Sequence, residues 1–296
     1  MMNSIIYNIE IKINKTLCYS DLFDYPLKKE ELWKYLISST KVEKELFDQV
    51  IKRSKAILKK REWYYLKGRD SIIKLRLGRE KESVIKIRNS KKIVKIISKI
   101  PTVLFIGLSG ALAMNNSDKD DDIDFFLITS EDAVWSTRFF VLIILAILGV
   151  KRKRNGKNIS NSICLNMLIT NNALSLRNIK KDLYLAHEIT QLRPLFDRGN
   201  FYKTFLINNI WVKKYLINSL DIVVEDNKLN KVSKIDIMTI FLFKKLETFL
   251  KIVQMISIKR HQTTEFISEN ILAFHPHNYR GLILKKYEQR LKKYAI

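Results

Sequence analysis

The sequence predicts an α+β protein: an N-terminal winged helix, a central mixed sheet with helices, and a C-terminal helical region. Three observations carry this prediction. Helical periodicity between residues 5 and 53 gives way to two short strand-like runs around a basic turn, "AILKKREWYYLKG". Between residues 101 and 170 the apolar runs "TVLFIG", "IDFFLIT" and "SICLNMLIT" lose helical periodicity and are broken by Gly, Asn and Asp. Beyond Leu174 long helical-periodic segments take over, through "IKKDLYLAHEITQLRPLF" to "YRGLILKKYEQRLKKYAI". At 296 residues the chain suffices for two or three small domains or one large one.

Residues 1–70 read as the winged-helix-like unit. A first helix covers residues 5–18, and Pro26 opens a turn before a second helix with Leu32, Trp33, Leu36 and Ile37 on one face. A third follows with Val42, Leu46, Val50 and Ile51 inward, and then a hairpin closed by Gly68. Three helices and a hairpin is the winged-helix order, in which Lys44, Lys52 and Arg53 would face nucleic acid. The same unit could equally serve only to pack against its neighbour or a partner. Residues 71–100 are a basic helical connector ended by Pro101, residues 101–175 hold the strand-rich unit, and residues 176–296 form the helical domain.

The formal charge is +24, from 54 basic and 30 acidic residues, which favours polyanionic partners. Lys, Ile and Asn are abundant throughout, however, and such a general bias makes solvated lysine uninformative about a site. Cys18 and Cys164 sit in apolar settings without partner spacing and read as reduced core residues of a cytoplasmic protein. No secretory leader pattern opens the sequence. The apolar stretch at residues 139–150, "FFVLIILAILGV", falls short of the roughly 18–20 residues that span a bilayer and is expected to be a buried helix, so no membrane partner is expected.

The chemistry concentrates in "FIGLSGALAMNNSDKDDDIDFFLIT", residues 105–129. Strand alternation puts Asp122 and Asp124 on one face, with Ile123 turned to the core. Asp118, Asp120 and Asp121 read as a solvated loop, whereas carboxylates set into an apolar strand require a cation or a basic partner. Paired carboxylates are usual ligands for Mg²⁺, and a Gly-containing turn into a helix offers backbone N–H groups to phosphate. Asp122 and Asp124 are therefore the candidate metal ligands and catalytic residues. Gly107, Ser109, Gly110 and Ala111 are the candidate nucleotide-binding turn, and Arg138, Lys151 and Arg152 are candidate phosphate partners.

This stretch resembles the signature of the DNA polymerase beta-like nucleotidyltransferases: an apolar strand, Gly-Ser or Gly-Gly, a short helix, then D-h-D in an apolar strand. In "LSGALAMNN…DDIDFFLIT" Gly110-Ala111 takes the Gly-Ser slot and Asp122 falls at the first metal aspartate. Ala111 stands where that family prefers Ser, and Ser109 is the residue that could compensate. The runs "LFDYPL…ELWKYL", "GALAMNN", "LYLAHEITQLRPL" and "FHPHNYRGLI" look like an uncharacterised prokaryotic group of such proteins carrying an N-terminal winged helix, a likeness over nearly the whole chain.

The resemblance implies a nucleotidyltransferase-type mixed sheet, Mg²⁺ or Mn²⁺ as cofactor and a nucleoside triphosphate as partner. It also implies transfer of a nucleoside monophosphate to an acceptor hydroxyl. Nucleic acid is a further candidate partner through the N-terminal unit. Active members carry a third carboxylate on a later strand. The corresponding polar position here is Asn166, a neutral amide, and Glu188 is the substitute if its helix folds back. The alternative is a non-catalytic nucleotide- or nucleic-acid-binding protein on a degenerate form of that fold.

Overall fold

The computed structural model describes residues 2–153, 159–220, 234–260, 266–274 and 279–296, and within them the chain is α+β. The N-terminal region supplies α1 (Met2–Asp21), α2 (Lys29–Lys34), α3 (Lys44–Arg53) and the hairpin β1 (Leu58–Lys60) and β2 (Trp63–Tyr65), in the expected order. Ile9, Ile13 and Leu17 recur every fourth residue of α1, so they share one face and bury against Phe47 and Val50 of α3. Phe47 takes the inward position expected of Leu46, which is half-buried. Leu27 bridges Tyr64 and adds a third edge to the hairpin. Lys44, Lys52 and Arg53 are exposed.

The basic segment 71–100 is helical, as α4 (Ile72–Ile97), but it is packed along its length. Ile87, Val94 and Ile97 join the core, and two of its cations, Arg76 and Lys86, are buried. Arg76 donates to Glu31 Oε1 at 2.8 Å and Glu80 Oε1 at 3.0 Å, with its guanidinium 3.6 Å from the centre of the Tyr25 ring. Buried charge of this kind is tolerated only when paired.

The main sheet has the order β6-β3-β4-β5-β8-β7. Its members are β3 (Val103–Leu108), β4 (Ile123–Thr129), β5 (Ile163–Thr170), β6 (Arg193–Asp197), β7 (Phe266–Ile267) and β8 (Ile271–Ala273). β4 and β5 are parallel, joined across α6 (Val134–Ile147), and the other pairings are antiparallel. The region beyond Leu174, expected to be almost wholly helical, thus contributes three strands. β6 begins "RPLF", where Pro194 fits an edge strand, and β7 and β8 are too short for a period to show. Helices α7 (Leu183–Gln191), α8 (Phe201–Asn208), α9 (Lys234–Lys259) and α10 (Tyr279–Lys293) complete the chain.

Strand alternation splits the core in two. Phe126, Ile128 and Met167 face the N-terminal region, α7 and α10, while Phe125, Leu127 and Leu165 face α4, α6 and α9. The helix expected to be buried at residues 139–150 is only half so. Val141 and Leu145 are fully buried, whereas Ile147 is 79% exposed. The helix packs against α9, where Met238 and Phe249 are also exposed. No helix among the described residues is long and apolar enough to cross a membrane.

Candidate metal and nucleotide site

The two aspartates stand where β4 begins. The Ser109 amide donates to the Asp124 carbonyl at 3.0 Å, and Leu108 pairs with Phe125, which fixes the end of β3 against Asp124. On the other side Asp124 pairs with Cys164 across the parallel β4–β5 ladder. One ligand atom from each of Asp122, Asp124 and Cys164 lies within 4.8 Å of the other two. Gly110 closes the cluster from above. Its φ is +62°, and a Cβ there would sit 2.9 Å from Asp124 Oδ2. Conformation and space both demand glycine at this position.

Asp118 and Asp120 are exposed, as expected of a solvated run, and Asp121 is half-buried, but the backbone of the loop is held. Lys86 Nζ donates to the carbonyls of Asp118 and Asp121, each at 2.5 Å. The Ser117 amide donates to Ser83 Oγ at 3.2 Å, and the Asp118 amide to Asp121 Oδ2 at 2.7 Å. The helix expected to be a connector is therefore a scaffold for the acidic turn.

Arg152 follows α6 and brings Nη1 to 2.6 Å from Asp122 Oδ2. This ion pair places a positive charge directly on the buried Oδ2. Burial raises the carboxyls of both aspartates above their ordinary range. The charge of Asp122 and then that of Glu188 add to this at Asp124, while Arg152 opposes it at Asp122. Burial, then Asp124, pushes the Cys164 thiol up to about 12. Glu188, on α7, is pushed up to about 7 by burial, with a hydrogen bond from Tyr184 opposing.

A cavity of about 350 Å³ opens over the cluster. Asp122, Asp124, Gly110, Ala111 and Arg152 line one side, and Tyr19, Phe23, Tyr25 and Tyr35 of the N-terminal region line the other. His187 of α7 stacks on Tyr19 with ring centres 4.0 Å apart and planes 8° apart. Its Nδ1 accepts from Gln191 Nε2 at 3.1 Å, and burial pushes the ring down to about 3, so it is neutral and carries its proton on Nε2. That Nε2 has no partner among the described residues. A second cavity of about 370 Å³ shares Asn166, Tyr184, Glu188 and Tyr279 with the first and is otherwise mainly apolar, with Phe126, Met167 and Phe205 in its wall. Compared with protein-family models, curated proteins and solved structures, the chain finds no match.

The sequence-predicted residues separate on this geometry. Asp122, Asp124, Gly110 and Ala111 meet at the first cavity. Ser109 is buried in the wall of the second, where it accepts from Asn166 Nδ2 at 3.1 Å. Gly107 lies within β3, where a Cβ would meet Phe105 at 2.8 Å and Leu192 at 3.2 Å, so packing demands it. Arg152 is at the aspartates. Lys151 is exposed, and Arg138 turns to Gln254 and the Phe274 ring. The resemblance puts a third carboxylate where the sequence has Asn166, but the β5 side chain that lies beside Asp122 and Asp124 is that of Cys164. The missed signal is that Cys164 is two residues before Asn166 and shares its alternation. The aromatic wall, Tyr19 of α1 with Phe23, Tyr25 and Tyr35 from the segments that follow α1 and α2, has no signal in a sequence whose N-terminal region reads as a separate unit.

Proposed function

We propose that the protein is a metal-dependent nucleotidyltransferase of the DNA polymerase beta-like kind, moving a nucleoside monophosphate from an NTP to an acceptor hydroxyl. The observation that carries this reading is the side-by-side placement of Asp122 and Asp124, capped by a glycine that leaves no room for a side chain and open to a nucleotide-sized cavity. The two carboxylates, set side by side at the cavity with Arg152 as the cation beside Asp122, fit a divalent ion, Mg²⁺ or Mn²⁺. Asp122 and Asp124 would hold that ion, which supplies Lewis-acid stabilisation of charge on the reacting phosphate. Arg152 is placed to neutralise phosphate oxygens at the same edge.

Glu188 borders both cavities, and its raised proton affinity suits a general base for the acceptor hydroxyl. In that step Glu188 takes the hydroxyl proton, the acceptor oxygen bonds to the α-phosphorus, and the bond to pyrophosphate breaks. The acceptor would occupy the second cavity. The free thiols Cys18 and Cys164 support a cytoplasmic setting.

A second reading, nucleotide or nucleic-acid binding without turnover, is supported by Ala111 in the Ser slot and by the lack of a carboxylate at positions 164 and 166 of β5. The exposed Lys44, Lys52 and Arg53 support nucleic acid as the partner. Calorimetric titration with each of the four NTPs and Mg²⁺ tests the common part of both readings: binding should occur and Asp124→Asn should abolish it. Equal affinity in the variant would sink the site assignment. Release of pyrophosphate then separates enzyme from binding module.

A further inference from the structure

We propose that Cys164 is the third protein ligand of the ion held by Asp122 and Asp124, so that the cluster takes a thiophilic divalent cation, Zn²⁺ or Co²⁺, in preference to Mg²⁺. The inference rests on the metal-site reading above and changes what that reading expects of the ion.

The geometry comes from strand pairing. Asp124 and Cys164 are partners across the β4–β5 ladder, and the ladder's irregularity falls after that pair, between Phe125 and Phe126. Asp122 and Asp124 share a face by alternation, and the Cys164 sulfur lies on that face, within 4.8 Å of a ligand atom on each. A tetrahedral ion with bonds of about 2.3 Å to sulfur and about 2.0 Å to oxygen would draw the three donors modestly closer, within reach of side-chain rotation. Asn166, next along the same face of β5, gives its amide to Ser109 at 3.1 Å, while Cys164 and Asp122 share Arg152, a half-exposed cation that an entering ion would displace toward the cavity. Gly110, where a Cβ would sit 2.9 Å from Asp124 Oδ2, leaves that oxygen unobstructed.

Donor chemistry then selects the ion. Mg²⁺ requires near-octahedral oxygen and holds its waters, so a sulfur in the third position is lost to it. Zn²⁺ and Co²⁺ accept mixed oxygen and sulfur donors in four-coordinate sites, and three protein ligands leave one position open. That open position faces the cavity that Ala111 and Arg152 line, where a phosphate oxygen of a nucleotide would enter. Binding ionises the thiol, and its proton passes to solvent.

The test is titration of the full-length protein with Co²⁺, followed by absorption. The wild-type chain should develop a thiolate-to-cobalt charge-transfer band in the near ultraviolet, and Zn²⁺ should bleach it while excess Mg²⁺ does not. Cys164→Ser should lose the band and bind Zn²⁺ about tenfold or more weakly, at least what loss of an outer-sphere partner costs. Cys164→Asp should confer tight Mg²⁺ binding that the wild-type chain lacks, which a merely misfolded variant could not. Co²⁺ bound by the wild-type chain without a thiolate band overturns this inference and leaves the Asp122–Asp124 site intact. Failure of Mg²⁺, Zn²⁺ and Co²⁺ alike to bind the wild-type chain overturns both.

Discussion

Gly110 is where local backbone and site chemistry meet in one residue. A methyl group there would be strained at φ +62° and would also strike Asp124 Oδ2 at 2.9 Å. Gly110→Ala should therefore destabilise the fold by about 1–3 kcal/mol and displace Asp124 from the cluster. Urea unfolding measures the first effect and metal titration the second. A variant as stable and as competent for metal as the wild type would remove the case for the cradle. Arg152 acts in the opposite sense. Its guanidinium competes for Asp122, so Arg152→Gln should tighten divalent-ion binding by about 2- to 10-fold, the range expected of a partly exposed ion pair. Nucleotide affinity should fall in the same variant, because one phosphate partner is gone. The aspartates were legible in the sequence because charge inside an apolar strand needs an explanation. Cys164 was not, because a cysteine among apolar residues reads as core and nothing local specifies which strand lies beside it.

Helix α7 carries the neutral His187 between Tyr19 and the cavity, and its burial has a pH signature. The folded ring is held down to about 3, against an ordinary value near 6.5. Above about pH 6.5 folded and unfolded chains both carry a neutral ring, and the full stability is present. As pH falls below that value the unfolded chain takes up a proton that the folded chain refuses. The contribution of His187 should then drop by up to about 1.4 kcal/mol per pH unit until the folded ring titrates, against an opposite contribution from Asp124 and Glu188, whose raised carboxyls take up protons in the folded chain first. Unfolding midpoints measured from pH 7 to pH 4 should therefore differ between the wild type and His187→Gln by this slope. An unchanged slope in that variant would assign acid sensitivity elsewhere. The existence of α4 was plain from its pattern, but its role was not. A lysine-rich helix reads as solvated, and only the fold shows Lys86 turned inward to the carbonyls of Asp118 and Asp121. Likewise β6, β7 and β8 were invisible as strands because pairing partners far away in the chain, rather than local periodicity, make them so.

The N-terminal region looks separable in sequence and is joined in structure. Asp21, at the end of α1 and 2% exposed in its side chain, receives Arg69 Nε at 2.6 Å and also pairs with Arg290 of α10, tying three distant parts of the chain to one carboxylate. Tyr25 Oη donates to the Met114 carbonyl at 2.9 Å, and Asn116 Nδ2 to the Phe23 carbonyl at 2.9 Å, across the same boundary. One apolar cluster runs from Ile13 and Phe47 through Phe126 and Met167 to Tyr287. Cutting the chain after residue 70 would expose that cluster, strand Arg290 without Asp21, and remove one wall of the cavity over Asp122 and Asp124. The remainder, residues 71–296, should consequently fail to fold cooperatively rather than persist as a smaller domain. In the full chain, hydrogen exchange should give the amides of the β1–β2 hairpin and of the β3–β4 pair similar opening free energies, as expected of one cooperative unit. A hairpin that opens at much lower energy while β3–β4 stays protected would make the N-terminal region an independent module. In that case its exposed α3 cations, rather than its contribution to the cavity wall, would be the place to look for its role.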